Sequence, residues 1–262
     1  MKLGFGNKVA IVTGGSSGIG EAIALGLCQE GATVVIVARD KDKLHEAAQR
    51  IAARTGGHAH VAVADVTSAG DVSAMVSETA AKYGRIDALV NSAGRRWAGQ
   101  LESSSDEEWT SNIELNLLGT VRCVRAVLPY MIRQKGGSIV NIAATSAVEP
   151  RPAQIISNAA KAAVVNFTKT LALNVAKYNI RANCVNPGQI LTPQRRKNIG
   201  KLAAERHVPE NLIMEEQARN IPLGRLGDPN DVASTVLFLL SDQANFLTAV
   251  SINIDGGETH HI

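Results

Sequence analysis

The tightest constraint on this chain is a short apolar run at residues 9–13 that ends in Gly14-Gly15-Ser16-Ser17-Gly18-Ile19-Gly20 and passes directly into a helical pattern over 21–30. A turn this tight between a strand and a helix needs residues without a Cβ, because several positions must adopt positive φ or let backbone approach backbone. Gly31 then ends the helix. The next run, 33–37, is β-branched and reads as a buried strand. A strand, a glycine turn, a helix and a second apolar strand begin a doubly wound α/β sheet.

The alternation continues along the chain. Strands are expected at 60–64, 88–90, 138–142, 180–185 and 250–254, and helices at 41–54, 68–83, 157–177 and 229–240. Residues 106–133 read as one long helical region that Pro129 breaks or kinks late. Residues 193–222 are rich in Arg, Lys, Asn and Glu and read as irregular. Strands that are apolar along their whole length belong to a parallel sheet covered on both faces. The expected architecture is therefore a Rossmann-type parallel sheet in three layers. With no Pro-, Gly- or Ser-rich linker, residues 1–262 read as one domain.

Composition removes other classes. The 27 basic and 24 acidic residues leave a net charge of +3, too even to imply nucleic acid. Apolar runs such as 236–240 fall far short of a membrane span of about 20 residues. Residues 1–8 lack the apolar core of a signal peptide. Cys28, Cys123 and Cys184 are far apart and odd in number, which reads as buried thiols in a reducing, cytoplasmic setting, with no metal site. His260-His261 reads as a tail.

The glycine loop has the makings of a phosphate cradle. Gly14, Gly18 and Gly20 let backbone approach a pyrophosphate, the helix N-terminus offers unpaired N–H groups, and Ser16 and Ser17 add hydroxyls. The second strand ends at Ala38-Arg39, where NAD enzymes usually carry a carboxylate for the ribose hydroxyls. A cation there suits a 2′-phosphate, so NADP is expected ahead of NAD; the alternative is a surface arginine paired with Asp40 or Asp42.

These motifs together resemble the short-chain dehydrogenase/reductase family over nearly the whole chain. Thr13 to Gly20 is similar to its cofactor loop, Asp65-Val66 to its adenine contact, and Asn91-Ser92-Ala93-Gly94 to its NNAG segment. Asn116 resembles the asparagine of its active-site relay. The segment from Asn186 through Pro187, Gly188, Gln189, Ile190 and Leu191 to Thr192 resembles the part that holds the nicotinamide carboxamide. Ile221 to Arg225 and Asp255-Gly256-Gly257 resemble its C-terminal signatures, and residues 193–222 resemble its mobile substrate lid. The resemblance implies NADP(H) binding, oxidoreductase chemistry on a small molecule and a homotetramer. That assembly would also explain why Leu115, Leu117, Leu118 and Val121 exceed one helical stripe.

The resemblance also implies a tyrosine four residues before a lysine, and a serine thirteen before the tyrosine. Lys161 fits the lysine, but Ser157 stands in the tyrosine's place and Ala144 in the serine's. The three tyrosines do not rescue the pattern: four residues after Tyr83, Tyr130 and Tyr178 stand Asp87, Gln134 and Ala182. Three readings stay open. The first is an NADP-dependent oxidoreductase whose relay uses Lys161, Asn116 and Ser157, with water filling the gap left by the phenol. The second is a catalytically weak cofactor-binding protein or partner subunit. The third is a lyase or hydrolase on the same scaffold. Thr145 or Ser146 would replace the serine if the loop shifts by one residue. Glu149 is a candidate acid if buried. Arg95-Arg96, beside the expected nicotinamide site, suit an anionic substrate or else form a solvated basic loop. His207 reads as an exposed loop residue.

Overall fold

The computed structural model describes residues 3–260, so His261 of the tail lies outside them. Seven strands form one parallel sheet: β1 (Val9–Thr13), β2 (Thr33–Ala38), β3 (Ala59–Val63), β4 (Ala88–Asn91), β5 (Gly137–Ile142), β6 (Ile180–Pro187) and β7 (Ser251–Ile254). Their order is β3-β2-β1-β4-β5-β6-β7. β1 pairs with β2 on one side and β4 on the other, so the strand order reverses there and a crevice opens at the carboxyl ends.

The helices are α1 (Gly18–Gln29), α2 (Lys41–Thr55), α3 (Ala69–Tyr83), α4 (Asp106–Ile113), α5 (Gly119–Arg133), α6 (Ile155–Val175), α7 (Pro193–Arg206), α8 (Glu210–Ala218) and α9 (Pro229–Leu240). Side chains that alternate along each strand feed two cores. Ala10, Val12, Val34, Ile36, Val90 and Val140 meet Ile23, Leu27, Leu44 and Val236 of α1, α2 and α9. Ile11, Val35, Val37, Leu89 and Ile139 meet Val72, Met75, Val124 and Leu171 of α3, α5 and α6. This double burial is why the strands read as continuous apolar runs. The three cysteines are free and buried. Gly31 follows α1 at φ +85°, the left-handed geometry expected of it.

Two expectations change. The helical rod from 106 to 133 is not broken at Pro129, which lies inside α5. Pro129 and Arg125 four residues earlier are both exposed, so the carbonyl that the proline cannot bond lies on the solvent side of the helix. The irregularity falls instead at Glu114–Leu118, one π-helical turn holding Asn116. The Asn116 Nδ2 donates to the carbonyl of Asn112 (3.1 Å), while the Gly119 N–H bonds back to Glu114, five residues away. A side chain thus competes for the i−4 acceptor and the ladder widens, a device common at functional sites. This rod is long and apolar enough to cross a membrane by length and composition, but Cys123, Val124, Val127 and Met131 are buried in the core.

Residues 193–222 are also not irregular. They form α7 and α8 over a small core of Ile199, Ala203, Ile213, Ile221 and Leu226. Thr192 caps α7 by accepting from the Arg195 N–H, Pro193 occupies its first turn, and His207 ends it at φ +54°, exposed as expected.

Candidate active site

The carboxyl ends of β1, β4, β5 and β6 place the candidate residues in one crevice. In the glycine loop, Gly14 sits at φ +67°, and a Cβ there would lie 2.8 Å from the Ser92 carbonyl oxygen. A Cβ at Gly20 would collide with the Gly14 carbonyl oxygen. Thr13 locks the arrangement: its Oγ1 accepts from the Ser92 and Ala93 N–H groups (3.1 and 3.2 Å) and donates to the Val90 carbonyl (3.4 Å). At Gly18, φ is +58° and a Cβ would lie 3.2 Å from Thr192 Cγ2, so Thr192 closes over the loop from the β6 side.

The N-cap of α1, Ser17, makes no side-chain cap hydrogen bond, whereas Asp40, Ser68 and Ser105 cap α2, α3 and α4. The first-turn amides of Gly18, Ile19 and Gly20 thus lack a side-chain acceptor, beside a half-buried Ser16 and an exposed Ser17. An uncapped helix start lined by bare glycines fits a pyrophosphate. Arg39 is 68% exposed at the end of β2, with its Nη1 3.5 Å from Asp65 Oδ2. It pairs with neither Asp40 nor Asp42; Lys43 takes Asp40. Burial opposes charge on Asp65, but hydrogen bonds from the Thr67 N–H and hydroxyl and the Arg39 cation outweigh it and hold the carboxyl below its ordinary range. Val66, beside it, is buried where Gly119 begins α5.

Deeper in the crevice, Asn91 is buried and its Nδ2 donates to Asn141 Oδ1 (2.8 Å), whose own amide donates to Thr168 Oγ1 (2.9 Å). Asn91 Oδ1 is buried and makes no hydrogen bond among the described residues. Asn116 brackets the main chain of Arg95: its Oδ1 accepts from the N–H (3.3 Å) and its Nδ2 donates to the carbonyl (3.1 Å). A Cβ at Gly94 would lie 2.7 Å from Asn116 Oδ1 and 3.3 Å from Lys161 Nζ, so only glycine lets these groups meet. Lys161 Nζ donates to the Ile142 carbonyl (3.0 Å), and burial lowers its pKa to about 8. On the β6 side, the Gly188 N–H donates to the Ile254 carbonyl (3.0 Å) and a Cβ there would meet Asp255. Pro187 ends β6 and Ile190 bridges to Gly227, its side chain in the core, so Ile190 offers the crevice its backbone.

Ser157 is only 5% exposed, and its hydroxyl is engaged on both sides. Its Oγ accepts from the Trp97 N–H (2.7 Å) and donates to the Trp97 carbonyl (3.2 Å). The Trp97 indole N–H is held by Glu108 Oε1 (2.9 Å). Ala144 is extended and presents no side-chain donor; Thr145 and Ser146 are buried. Glu149 does not meet the condition set for an acid: its side chain is 37% exposed and accepts from the His260 N–H.

Three comparisons bear on this crevice. The family described as Enoyl-(Acyl carrier protein) reductase matches residues 14–259. The chain is 39% identical over 250 residues to the 3-oxoacyl-[acyl-carrier-protein] reductase FabG of Thermotoga maritima, covering 95% of this chain and 97% of that one. It is 37% identical over 259 residues to the 2,3-dihydro-2,3-dihydroxybenzoate dehydrogenase of Bacillus subtilis, covering 98% and 97%. The chain belongs to the short-chain dehydrogenase/reductase family. The fold agrees: L-sorbose reductase of Gluconobacter frateurii, solved with NADPH and L-sorbose, superposes with a TM-score of 0.97 at 37% identity over the full length of both chains.

For this member of the short-chain dehydrogenase/reductase family, the structure brings together Gly14, Gly18 and Thr192 at one end and Gly94, Asn116 and Lys161 at the other. Sequence reasoning missed Asn112, whose Oδ1 and carbonyl both accept from Asn116 Nδ2. Its signal was present, since residues 112 and 116 are one helical turn apart. It also missed Trp97 as the partner of Ser157, for which no local pattern exists.

Proposed function

We propose that the protein is an NADP(H)-dependent oxidoreductase acting on a small-molecule carbonyl or alcohol, with a proton relay built on Lys161. The observation that carries this reading is Lys161 itself: an ammonium beside Gly94 and Asn116, lowered to about 8 by burial. When bound, the nicotinamide supplies or accepts hydride. The residues of this chain do the rest. Gly14, Ser16, Ser17, Gly18, Ile19, Gly20 and Thr192 hold the pyrophosphate, Arg39 takes the 2′-phosphate, and Asp65 and Val66 flank the adenine. Asn91, Ala93, Gly94, Pro187, Gly188 and Ile190 shape the nicotinamide side.

The family resemblance implies a tyrosine and a serine where this chain has Ser157 and Ala144. A lysine near pKa 8 populates both protonation states around neutral pH, so it can give a proton to a forming alkoxide and be recharged. After its bond to Ile142 the ammonium keeps two more donors. Asn116 and Ser157 act as positioning residues, Asn116 on the Arg95 main chain and Ser157 on that of Trp97. The α7–α8 pair serves as the substrate lid. The assembly is a homotetramer, supported by the incomplete cover of Leu115, Leu117, Leu118, Val121 and Phe167 and by Leu173, which is 76% exposed.

The engaged hydroxyl of Ser157 favours a second reading, a cofactor-binding partner subunit with little turnover of its own. No feature of the site favours a lyase or hydrolase. The test follows NADPH oxidation with a panel of ketones in wild type, Lys161→Met and the double variant Ala144→Ser/Ser157→Tyr. The proposal expects wild-type turnover that Lys161→Met abolishes and the double variant raises; a positioned acid is worth about 10²–10⁴-fold. A wild type that binds NADPH but is inert until the double substitution is made selects the partner-subunit reading. Failure to bind NADPH or NADH refutes both.

A further inference from the structure

We propose that Arg96, Arg151 and Arg195 form a recognition site for a dianionic group of the ligand, at the mouth of the crevice. Calling that ligand the substrate rests on the oxidoreductase reading; the anion site itself does not. The three arginines come from separate segments: the loop after β4, the loop between β5 and α6, and the first turn of α7.

Two of them are held in one chain of side-chain hydrogen bonds. Arg151 Nη2 donates to Glu258 Oε2 (2.8 Å), and Glu258 Oε1 accepts from Gln189 Nε2 (2.6 Å). Gln189 Oε1 accepts from Arg195 Nη1 (2.7 Å), which also donates to Gln217 Oε1 (2.8 Å). The third is brought alongside by its backbone. The Trp97 N–H is bound to Ser157, the Gly99 N–H donates to the Ala153 carbonyl (3.0 Å), and Gly99 bridges to Gln154. The 96–99 loop therefore runs beside the segment that follows Arg151.

The cations sense one another. Desolvation and then the charge of Arg151 lower Arg96, while desolvation and then the charges of Arg96 and Arg151 lower Arg195. Against three guanidiniums stands one carboxylate within the hydrogen-bonded network, Glu258, whose side chain is 12% exposed. The other carboxylates of that region are occupied elsewhere, Asp255 by Gly257 and Thr259 and Glu149 by the His260 backbone. Arg195 is held by the neutral amides of Gln189 and Gln217, and among the described residues Arg96 has no hydrogen bond or ion pair, so two of the three guanidiniums touch no carboxylate.

Clustering like charges is unfavourable by itself, and a bound anion supplies what the protein does not. Guanidinium forks match carboxylate and phosphate oxygens. The site also adjoins the crevice: a Cβ at Gly188 would lie 3.2 Å from Glu258 Oε2. A ligand anchored here would extend its carbonyl toward Lys161. Two guanidiniums without a carboxylate partner fit a phosphate monoester or a dicarboxylate.

The test is calorimetry on the NADP⁺-loaded protein at low ionic strength. The probes are dihydroxyacetone phosphate against dihydroxyacetone, and 2-oxoglutarate against its dimethyl ester. At least one dianion should bind more tightly than its neutral counterpart, and the pair that responds identifies the headgroup. Arg96→Gln removes an exposed side chain without internal partners, so the variant folds. It should weaken that dianion roughly 10- to 100-fold, the worth of a charge-assisted hydrogen bond, and leave NADPH affinity unchanged. Equal binding of both members of each pair overturns the proposal, as does an Arg96→Gln protein that binds the dianion like wild type. A parallel loss of NADPH affinity would assign the arginines to the cofactor and also overturn it. If NADPH fails to bind wild type while the dianion still binds through Arg96, the oxidoreductase reading falls and the anion site stands.

Discussion

Replacing Ser157 with alanine separates two roles for the residue that stands where the family resemblance implies a tyrosine. Its hydroxyl closes on both main-chain polar groups of Trp97, at 2.7 and 3.2 Å, from a position 5% exposed. Alanine removes both bonds and leaves the Trp97 N–H without its acceptor. A lost hydrogen bond that leaves a buried donor unmet costs about 1–3 kcal/mol, and water reaching the half-buried Trp97 moves the result toward the lower figure. At about 2.1 cal/mol/K per residue, unfolding 262 residues has an entropy near 0.55 kcal/mol/K, so the expected drop in Tm is roughly 2–5 °C. The assay is thermal unfolding followed by circular dichroism at fixed protein concentration, since association shifts Tm by mass action. Steady-state kinetics on the same samples give the other half. If Ser157 positions the Trp97 loop, Tm falls, KM rises and kcat changes only a few-fold, and Ser157→Thr restores most of both. An unchanged Tm with kcat reduced by about 10²–10⁴ would show that the hydroxyl moves protons, and the positioning argument would be wrong.

Other outcomes follow from the same geometry. The pKa of Lys161 is about 8 in the folded chain against an ordinary 10.5, so between those values the unfolded chain holds more protons. Its contribution to stability is therefore greatest above the unfolded pKa and is lost as pH falls through 8, which urea titrations across that range will show. The reduction rate should run the other way, falling as pH rises through about 8 and the ammonium loses its proton; Lys161→Arg, which keeps the charge but cannot give up its proton, should lose turnover as Lys161→Met does, and an active Lys161→Arg would show that the charge alone suffices. Gly14→Ala adds a left-handed strain of about 1–3 kcal/mol and presses a methyl against the Ser92 carbonyl, which is backbone and cannot swing away. Urea unfolding should report the destabilisation and fluorescence titration a loss of NADPH binding. Arg39→Gln should weaken NADPH roughly 10- to 100-fold and leave NADH unchanged in the same titration; equal losses for both would remove Arg39 from the 2′-phosphate.

Local patterns carried far into this molecule. The strand at 9–13, its glycine turn and the helix at 229–240 lie where the residues place them, because strand and helix periods and the need for positive φ act between chain neighbours. The π turn at Glu114–Leu118 was hidden, since the Asn116 amide competes with a backbone bond only once the helix exists. The helices α7 and α8 were hidden for a different reason. They bury few apolar residues, against a small core of their own, and so read as polar loop.

By itself, the sequence determined the parallel α/β architecture, the glycine turn between the first strand and helix, and the absence of a tyrosine before Lys161. The tertiary structure alone decided what Ser157 does with its hydroxyl and that Arg151 and Arg195 are joined through Glu258 and Gln189. Periodicity and turn chemistry are set by sterics within a few residues. Convergence is set by the strand order, which brings the ends of β4, β5 and β6 side by side however far apart they lie along the chain.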